Sequence, residues 1–170
     1  MIEKKVLITD CFFDYLNLFD NDWEKYKYYS VGEFNEETGR QENWPGTRTK
    51  DLKEVDKPFL AYALTCVEKK FGNSWNNNQP YLVDASFQLR QAGTPDWIHK
   101  DDPPHHYTCL IYLGETNVKS GTALYNDKHE EILHVPFIKN RAVLFSSNYW
   151  HKSTENFDGR YTLGLFFRLQ

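Results

Sequence analysis

From Tyr81 to Leu169 the chain is a succession of short runs rich in Val, Ile, Leu, Phe, Tyr and Thr: YLVDASFQLR, YTCLIYL, GTALYN, EILHVPFI, RAVLFSS and RYTLGLFFRL. Turn residues separate them. Runs of this length and composition are strands, and their spacing predicts a two-sheet antiparallel sandwich or jelly roll. The first half reads differently. Lys5–Thr9, KVLIT, predicts a short buried strand. Asp10 is positioned to cap a helix over CFFDYLNLFDNDWEKYKYY, where Phe12, Leu16 and Phe19 recur at spacings of four and three. A second helix is predicted over PFLAYALTCVEKKF, with Phe59, Ala63, Cys66 and Val67 on one side and Gly72 as its stop. Between the two helices, Ser30 to Lys57 is polar and carries the turn signals TG and PG. It reads as a long connection of the kind that forms lids and substrate loops. The expectation is therefore a mainly β protein with helices flanking one sheet. Its 170 residues fit a single domain, with 1–80 as a helical and loop support region and 81–170 as the core.

Composition narrows the function classes. The net charge is −4 and the pI about 5.9, which argues against a binder of the nucleic-acid backbone. No apolar run reaches transmembrane length, and MIEKKVLITD is charged and then strand-like, unlike a secretory leader. Cys11, Cys66 and Cys109 are odd in number and widely spaced, with no CxxC pair. They point to a reduced, cytoplasmic protein. Aromatic residues make up 16% of the chain, enough to line a ligand pocket as well as fill a core.

The densest chemistry lies in PDWIHKDDPPHHY, residues 95–107. His99 and Asp101 are two apart, so in extended backbone both side chains face the same way and Asp102 faces the opposite way. An imidazole and a carboxylate on one face supply two ligands to a divalent metal. A third must come from elsewhere. His105 and His106 follow a Pro–Pro pair and read as turn residues, His129 lies in the polar turn NDKHEE, and His134 fills a strand face. His151 follows the apolar strand AVLFSS and the short turn NYW, near the end of a core element. Two His and one Asp match the facial triad of non-haem iron(II) oxygenases, which leaves coordination positions open for substrates. His-x-Asp alone arises in many chains. Arg160, nine positions after His151 at the head of an apolar strand, adds weight. A hairpin between the two would bring its guanidinium beside the metal, where it can hold a dicarboxylate through a bidentate pair.

These features together resemble the 2-oxoglutarate- and iron(II)-dependent dioxygenases, most closely their prolyl-hydroxylase-like branch. The resemblance is carried by WIHKD, YTCLIYLGE, SGTALY, KNRAVLFSSNYWHKS and GRYTLGLFF, in that order, and covers roughly the last ninety residues. WPGTR, with Trp44 and Arg48, is similar to a segment of some small members. The resemblance implies a double-stranded β-helix (a cupin-like jelly roll). It implies that His99, Asp101 and His151 bind iron(II), and that Arg160 binds the distal carboxylate of 2-oxoglutarate. Tyr112 in LIYL matches a tyrosine that shares that carboxylate, and Thr162, on the same side of the strand as Arg160, adds a hydroxyl. Gln88 and Arg90, on the strand before the His-x-Asp, are candidates to face the pocket. The reaction implied consumes 2-oxoglutarate and dioxygen, releases succinate and carbon dioxide, and hydroxylates a substrate C–H bond. Asp101 favours hydroxylation over halogenation, because a related halogenase frees that position for chloride. The substrate expected is small or peptidyl: a prolyl residue, an amino acid or another small molecule. Trp44, Trp97 and Trp150 are candidates for the entrance. Two other readings stay open on the residues alone: a non-catalytic β-sandwich ligand-binding module, and a cupin-like metal dioxygenase that does not use 2-oxoglutarate.

Overall fold

A computed structural model of the chain describes residues 4–19, 22–72, 75–101 and 105–170. In chain order its elements are β1 (Val6–Thr9), two 3-10 turns (Leu16–Phe19 and Asp22–Lys25), α1 (Val31–Thr38), β2 (Thr47–Arg48), α2 (Leu52–Val55) and α3 (Lys57–Phe71). Seven strands follow: β3 (Tyr81–Arg90), β4 (Tyr107–Tyr112), β5 (Asn117–Tyr125), β6 (Glu131–Phe137), β7 (Ala142–Ser146), β8 (Trp150–Thr154) and β9 (Arg160–Leu169). A six-stranded sheet has the order β1-β7-β4-β9-β3-β2, and a three-stranded sheet the order β6-β5-β8. Every pairing is antiparallel. No helix among the described residues is long and apolar enough to cross a membrane.

The larger sheet is buried on both faces, so its strands read as nearly continuous apolar runs. Alternation still sorts the residues. Val83, Ala85, Phe87, Cys109, Ile111, Leu163, Leu165 and Phe167 join Phe59, Leu60, Ala63, Cys66 and Val67 of α3 in one cluster outside the sandwich. The opposite faces of β4 and β7 contribute Tyr112, Val143 and Phe145, which meet Leu124, Val135 and Phe137 of the smaller sheet in a second cluster between the sheets. The helix is delimited by its own signals. The Asp56 side chain accepts from the Phe59 amide, Pro58 lies in the first turn, and Gly72 ends it with an amide bond to the Glu68 carbonyl.

Three expectations need correction. The predicted helix after Asp10 is absent as a continuous element. Asn140 competes for its backbone: the Phe12 amide bonds to the Asn140 carbonyl, and the Asn140 side chain both accepts from the Phe13 amide and donates to the Phe13 carbonyl. Phe12, Phe13, Leu16 and Trp23 are still buried, but on an irregular path. The 30–57 connection, conversely, is structured. Ser30 and Glu33 form a reciprocal capping box, and Gly39 closes α1 in the left-handed conformation at φ 71°. Beyond α1, β2 pairs with β3. Finally, His151 and Arg160 are not joined by a hairpin. β8 belongs to the smaller sheet and β9 to the larger, so the chain crosses the sandwich between them. From the first half of the chain, β1 and β2 form the two edges of the larger sheet.

Leu165, fully buried under α3, tests the outer cluster. Leu165→Ala is expected to lower the unfolding free energy by about 2–5 kcal/mol, measured by urea denaturation.

Candidate metal centre

The inward faces of β3 and β9 are in register: Arg90 stands opposite Arg160, Gln88 opposite Thr162, Ser86 opposite Gly164 and Asp84 opposite Phe166. At Gly164 a Cβ would lie 2.8 Å from the Gln88 amide nitrogen, so the glycine lets the Gln88 side chain lie where it does. These rows border a cavity of about 800 Å³ that also reaches His99, Asp101 and His151. Small-molecule sites commonly span roughly 300–1,000 Å³.

The three candidate ligands converge because of backbone pairing. His99 and His151 exchange both amide-to-carbonyl bonds, at 3.0 and 2.8 Å, as an isolated antiparallel bridge. Directly opposed residues of this kind send their side chains to the same face, and the two rings lie 4.4 Å apart. Lys100 and Trp150, the next residues along each segment, pack against each other. Asp101 returns to the inner side. Its Oδ1 is 3.9 Å from His99 Nε2 and 3.6 Å from His151 Nε2, and ligand atoms of all three residues lie within 4.8 Å of one another. His99 Nδ1 lies 2.9 Å from the Trp97 carbonyl, and His151 Nδ1 3.1 Å from the Tyr149 carbonyl. A carbonyl only accepts, so each Nδ1 carries a proton, and in the neutral ring Nε2 is left to present a lone pair to the cluster. Burial also holds the His151 imidazole below its ordinary pKa, which favours this neutral form. Asp101 Oδ2 accepts from the Thr108 hydroxyl, which lies 3.0 Å from Ser147 Oγ. Two imidazole nitrogens and one carboxylate oxygen around a shared point, with a cavity on their open side, can hold a divalent transition metal.

Arg160 is 3% exposed. It reaches from β9 across to β5, where Nε bonds to Ser120 Oγ at 3.2 Å and Nη2 to the Gly121 carbonyl at 2.9 Å. Gly121 is required there: a Cβ would stand 2.1 Å from the Val135 carbonyl oxygen. Among the described residues no carboxylate pairs with Arg160. Burial, together with the adjacent Arg90 charge, pulls its pKa down to about 10, still far above neutrality. Thr162, one inward position further, has a buried hydroxyl with no hydrogen-bond partner among the described residues. A fixed cation and an idle hydroxyl on one cavity wall suit an anionic ligand. Tyr112 is wholly buried, and its hydroxyl donates to Thr122 Oγ1 at 2.8 Å. Thr122, not Tyr112, borders the cavity. Arg90 is spoken for by Asp96 and by Ser153 Oγ at 2.6 Å. Asp96 also accepts from the Ser153 amide at 2.8 Å and the Trp97 amide at 2.8 Å. Burial would raise the Asp96 carboxyl, but the Arg90 charge and the Ser153 and Trp97 bonds outweigh it and hold it below its ordinary value.

The remaining candidates divide. Trp44 and Trp97 border the cavity, whereas Trp150 packs on His129 and Lys100 outside it. Arg48 stacks over Trp44 at 3.4 Å and pairs with Glu42. The 30–57 segment thus builds much of the cavity mouth. His105, read as a turn residue, reaches that mouth and bonds to Asp84 at 3.1 Å. His106 accepts the Leu169 amide, and His134 bonds to Thr154 Oγ1. Asp102 lies outside the described residues. Thr108, Ser147, Thr122 and Asp96 escaped the sequence reading. Period-two alternation turns Thr108 inward, but a strand threonine is too ordinary to stand out.

No protein-family model and no curated protein sequence matches the chain. Solved structures do match in fold. A prolyl-4-hydroxylase from Pseudomonas putida aligns with a TM-score of 0.64 at 15% identity, over 98% of this chain and 94% of its own. A prolyl hydroxylase from Trichoplax adhaerens, in complex with a hypoxia inducible factor oxygen degradation domain peptide fragment, aligns with a TM-score of 0.65 at 16% identity, over 96% of this chain and 83% of its own. HygX from Streptomyces hygroscopicus, with nickel and 2-oxoglutarate bound, aligns with a TM-score of 0.70 at 11% identity, over 98% of this chain and 84% of its own. The chain has the jelly-roll fold of the 2-oxoglutarate and iron(II) oxygenases.

The Arg90–Asp96 pair gives a direct test of the architecture around the cluster. Asp96→Ala strands a buried guanidinium and is expected to cost about 3–5 kcal/mol of unfolding free energy in chemical denaturation.

Proposed function

We propose that the protein is an iron(II)- and 2-oxoglutarate-dependent dioxygenase that hydroxylates an unactivated C–H bond, with residues 1–170 acting as one oxygenase domain. The observation that carries this reading is Arg160, a buried guanidinium with no carboxylate partner among the described residues, on the wall of the cavity that holds the His99–Asp101–His151 cluster. A metal cluster alone would suit many metalloenzymes. A metal cluster beside a fixed cation and the unpartnered Thr162 hydroxyl suits a metal-bound dicarboxylate.

In this reading His99 and His151 would hold iron(II) through Nε2 and Asp101 through Oδ1. Bound there with 2-oxoglutarate and dioxygen, the iron would supply the oxidation that converts the cosubstrate to succinate and carbon dioxide and places one oxygen atom in a substrate C–H bond. The protein supplies orientation. Arg160 pairs with the distal carboxylate of 2-oxoglutarate, which fixes the direction in which the cosubstrate lies. Thr162 donates its hydroxyl to the same group. Tyr112 contributes through Thr122, whose hydroxyl it orients toward the cavity. The apolar cluster behind Arg160, including Phe137 with its ring centroid 5.1 Å from the guanidinium, keeps water from that end. The mouth formed by Trp44, Arg48 and Trp97 admits a small-molecule or peptidyl substrate. Bound molecules of both kinds occur among proteins of this fold: the Trichoplax enzyme is in complex with a peptide fragment and the epimerase SnoN with nogalamycin RO.

The test is succinate formation in the presence of iron(II) and 2-oxoglutarate, first alone and then with a panel of prolyl peptides, amino acids and small metabolites. Arg160→Ala is expected to raise the KM for 2-oxoglutarate by at least about thirtyfold, since truncating one partner of a buried charge pair costs about 2 kcal/mol or more. His99→Ala is expected to abolish metal binding. A protein that binds neither iron(II) nor 2-oxoglutarate overturns the reading. A turnover indifferent to Arg160→Ala assigns the site to a metal oxygenase that does not use 2-oxoglutarate.

A further inference from the structure

We infer that Thr108, backed by Ser147, is a positioning residue that restricts Asp101 to binding the metal through one oxygen. This rests on the reading of Asp101 as a metal ligand and adds a residue that acts on that ligand without touching the metal.

An ionised carboxylate only accepts hydrogen bonds, so in the contact between Thr108 Oγ1 and Asp101 Oδ2 the threonine is the donor. Its single proton is thereby committed. The 3.0 Å contact between Thr108 Oγ1 and Ser147 Oγ must then run the other way, with Ser147 donating. The result is a directed relay, Ser147 to Thr108 to Asp101. Thr108 is 0% exposed and Ser147 1% exposed, so no solvent competes for these bonds. Neither end is free to drift. Thr108 lies within β4 between Phe145 of β7 and Phe166 of β9. The amide of Ser147 is bonded to the His106 carbonyl at 2.9 Å.

The relay divides the two oxygens of Asp101. Oδ2 is held by Thr108, while Oδ1 faces the Nε2 atoms of His99 and His151. Released from Thr108, the carboxylate can rotate and offer both oxygens to one ion, taking a position that a bidentate cosubstrate or dioxygen needs. Ser147 is also four residues before His151 on the same β7–β8 passage. The relay therefore ties the carboxylate ligand to the segment that delivers an imidazole ligand.

Cobalt(II) added to the metal-free full-length protein tests this without turnover. Its affinity is measured by chelator competition and its coordination by visible absorption. Thr108→Val keeps the shape and removes the hydroxyl. It is expected to weaken cobalt(II) binding about 10- to 100-fold, the usual effect of losing a partner of a ligating group, and to alter the absorption bands. Thr108→Ser is expected to restore both, and Ser147→Ala to shift them in the same direction by less. If Thr108→Val does not fold, Ser147→Ala carries the test, and wild-type affinity and spectrum in it overturn the relay. Wild-type affinity and spectrum in folded Thr108→Val overturn the inference, as does a folded Thr108→Ser as impaired as the valine variant. If instead the wild-type protein shows no His99-dependent cobalt(II) binding, the metal reading itself fails, and the relay with it.

Discussion

The mutual backbone bonding of His99 and His151 is the constraint from which the site is built. One pair of amide-to-carbonyl bonds closes the end of the smaller sheet and aligns two imidazoles 4.4 Å apart. It joins positions 52 apart in sequence (151 − 99), so nothing local brings them together. The surroundings hold that pairing in register. Asp96 fixes the approach to His99 by binding the backbone and side chain of Ser153, two residues beyond His151. Phe145 packs edge-on against the His151 ring from below. A slip of one residue would turn His99 outward, where Lys100 now lies.

The two inward-facing arginines show how one sheet can treat the same charge in opposite ways. Arg90 and Arg160 are directly opposed on neighbouring strands, and both are largely buried. Arg90 is neutralised within the protein by Asp96 and serves the scaffold. Among the described residues, Arg160 hydrogen-bonds to neutral oxygens, those of Ser120 and Gly121. A buried guanidinium without a counter-charge is costly to the folded protein unless a ligand supplies one. Structural stability and ligand affinity are coupled through that one residue, and binding of an anion there stabilises the folded state by mass action.

What could be read from the sequence followed from which forces act locally. β3 and β9 coincide with YLVDASFQLR and RYTLGLFFRL, since long runs buried on at least one face carry their own signal. The α3 helix was legible for the same reason, with caps at both ends. That His99, Asp101, His151 and Arg160 would border one cavity was legible because a motif with fixed order survives without knowledge of the path between its parts. The segment after Asp10 was misread because Asn140, remote in sequence, takes its backbone bonds. The α1 helix was overlooked because only Phe34 of it is buried, so no apolar period marks it. Its capping signature, Ser30-x-x-Glu33 with Gly39 beyond, was present in the sequence and was the better guide. The route from His151 to Arg160 could not be inferred from spacing, because a crossing between sheets and a hairpin can use the same number of residues.

The segment from Tyr29 to Arg48 is pinned at its base and braced within itself, by Asn35 on Glu42 and by Arg48 on Glu42 and Trp44. Tyr29 and Arg48 exchange backbone bonds with each other, and Thr47 and Arg48 continue as a strand on the larger sheet. The excursion between them is a closed loop of chain hung from one sheet edge, and it carries Phe34, Glu42 and Trp44 to the cavity mouth. Its side chains can be exchanged without altering a single bond around His99, Asp101 or His151. Such an arrangement is modular: the mouth can be re-cut for a new guest by substitutions in one short stretch, while the His99–Asp101–His151 cluster keeps its own supports.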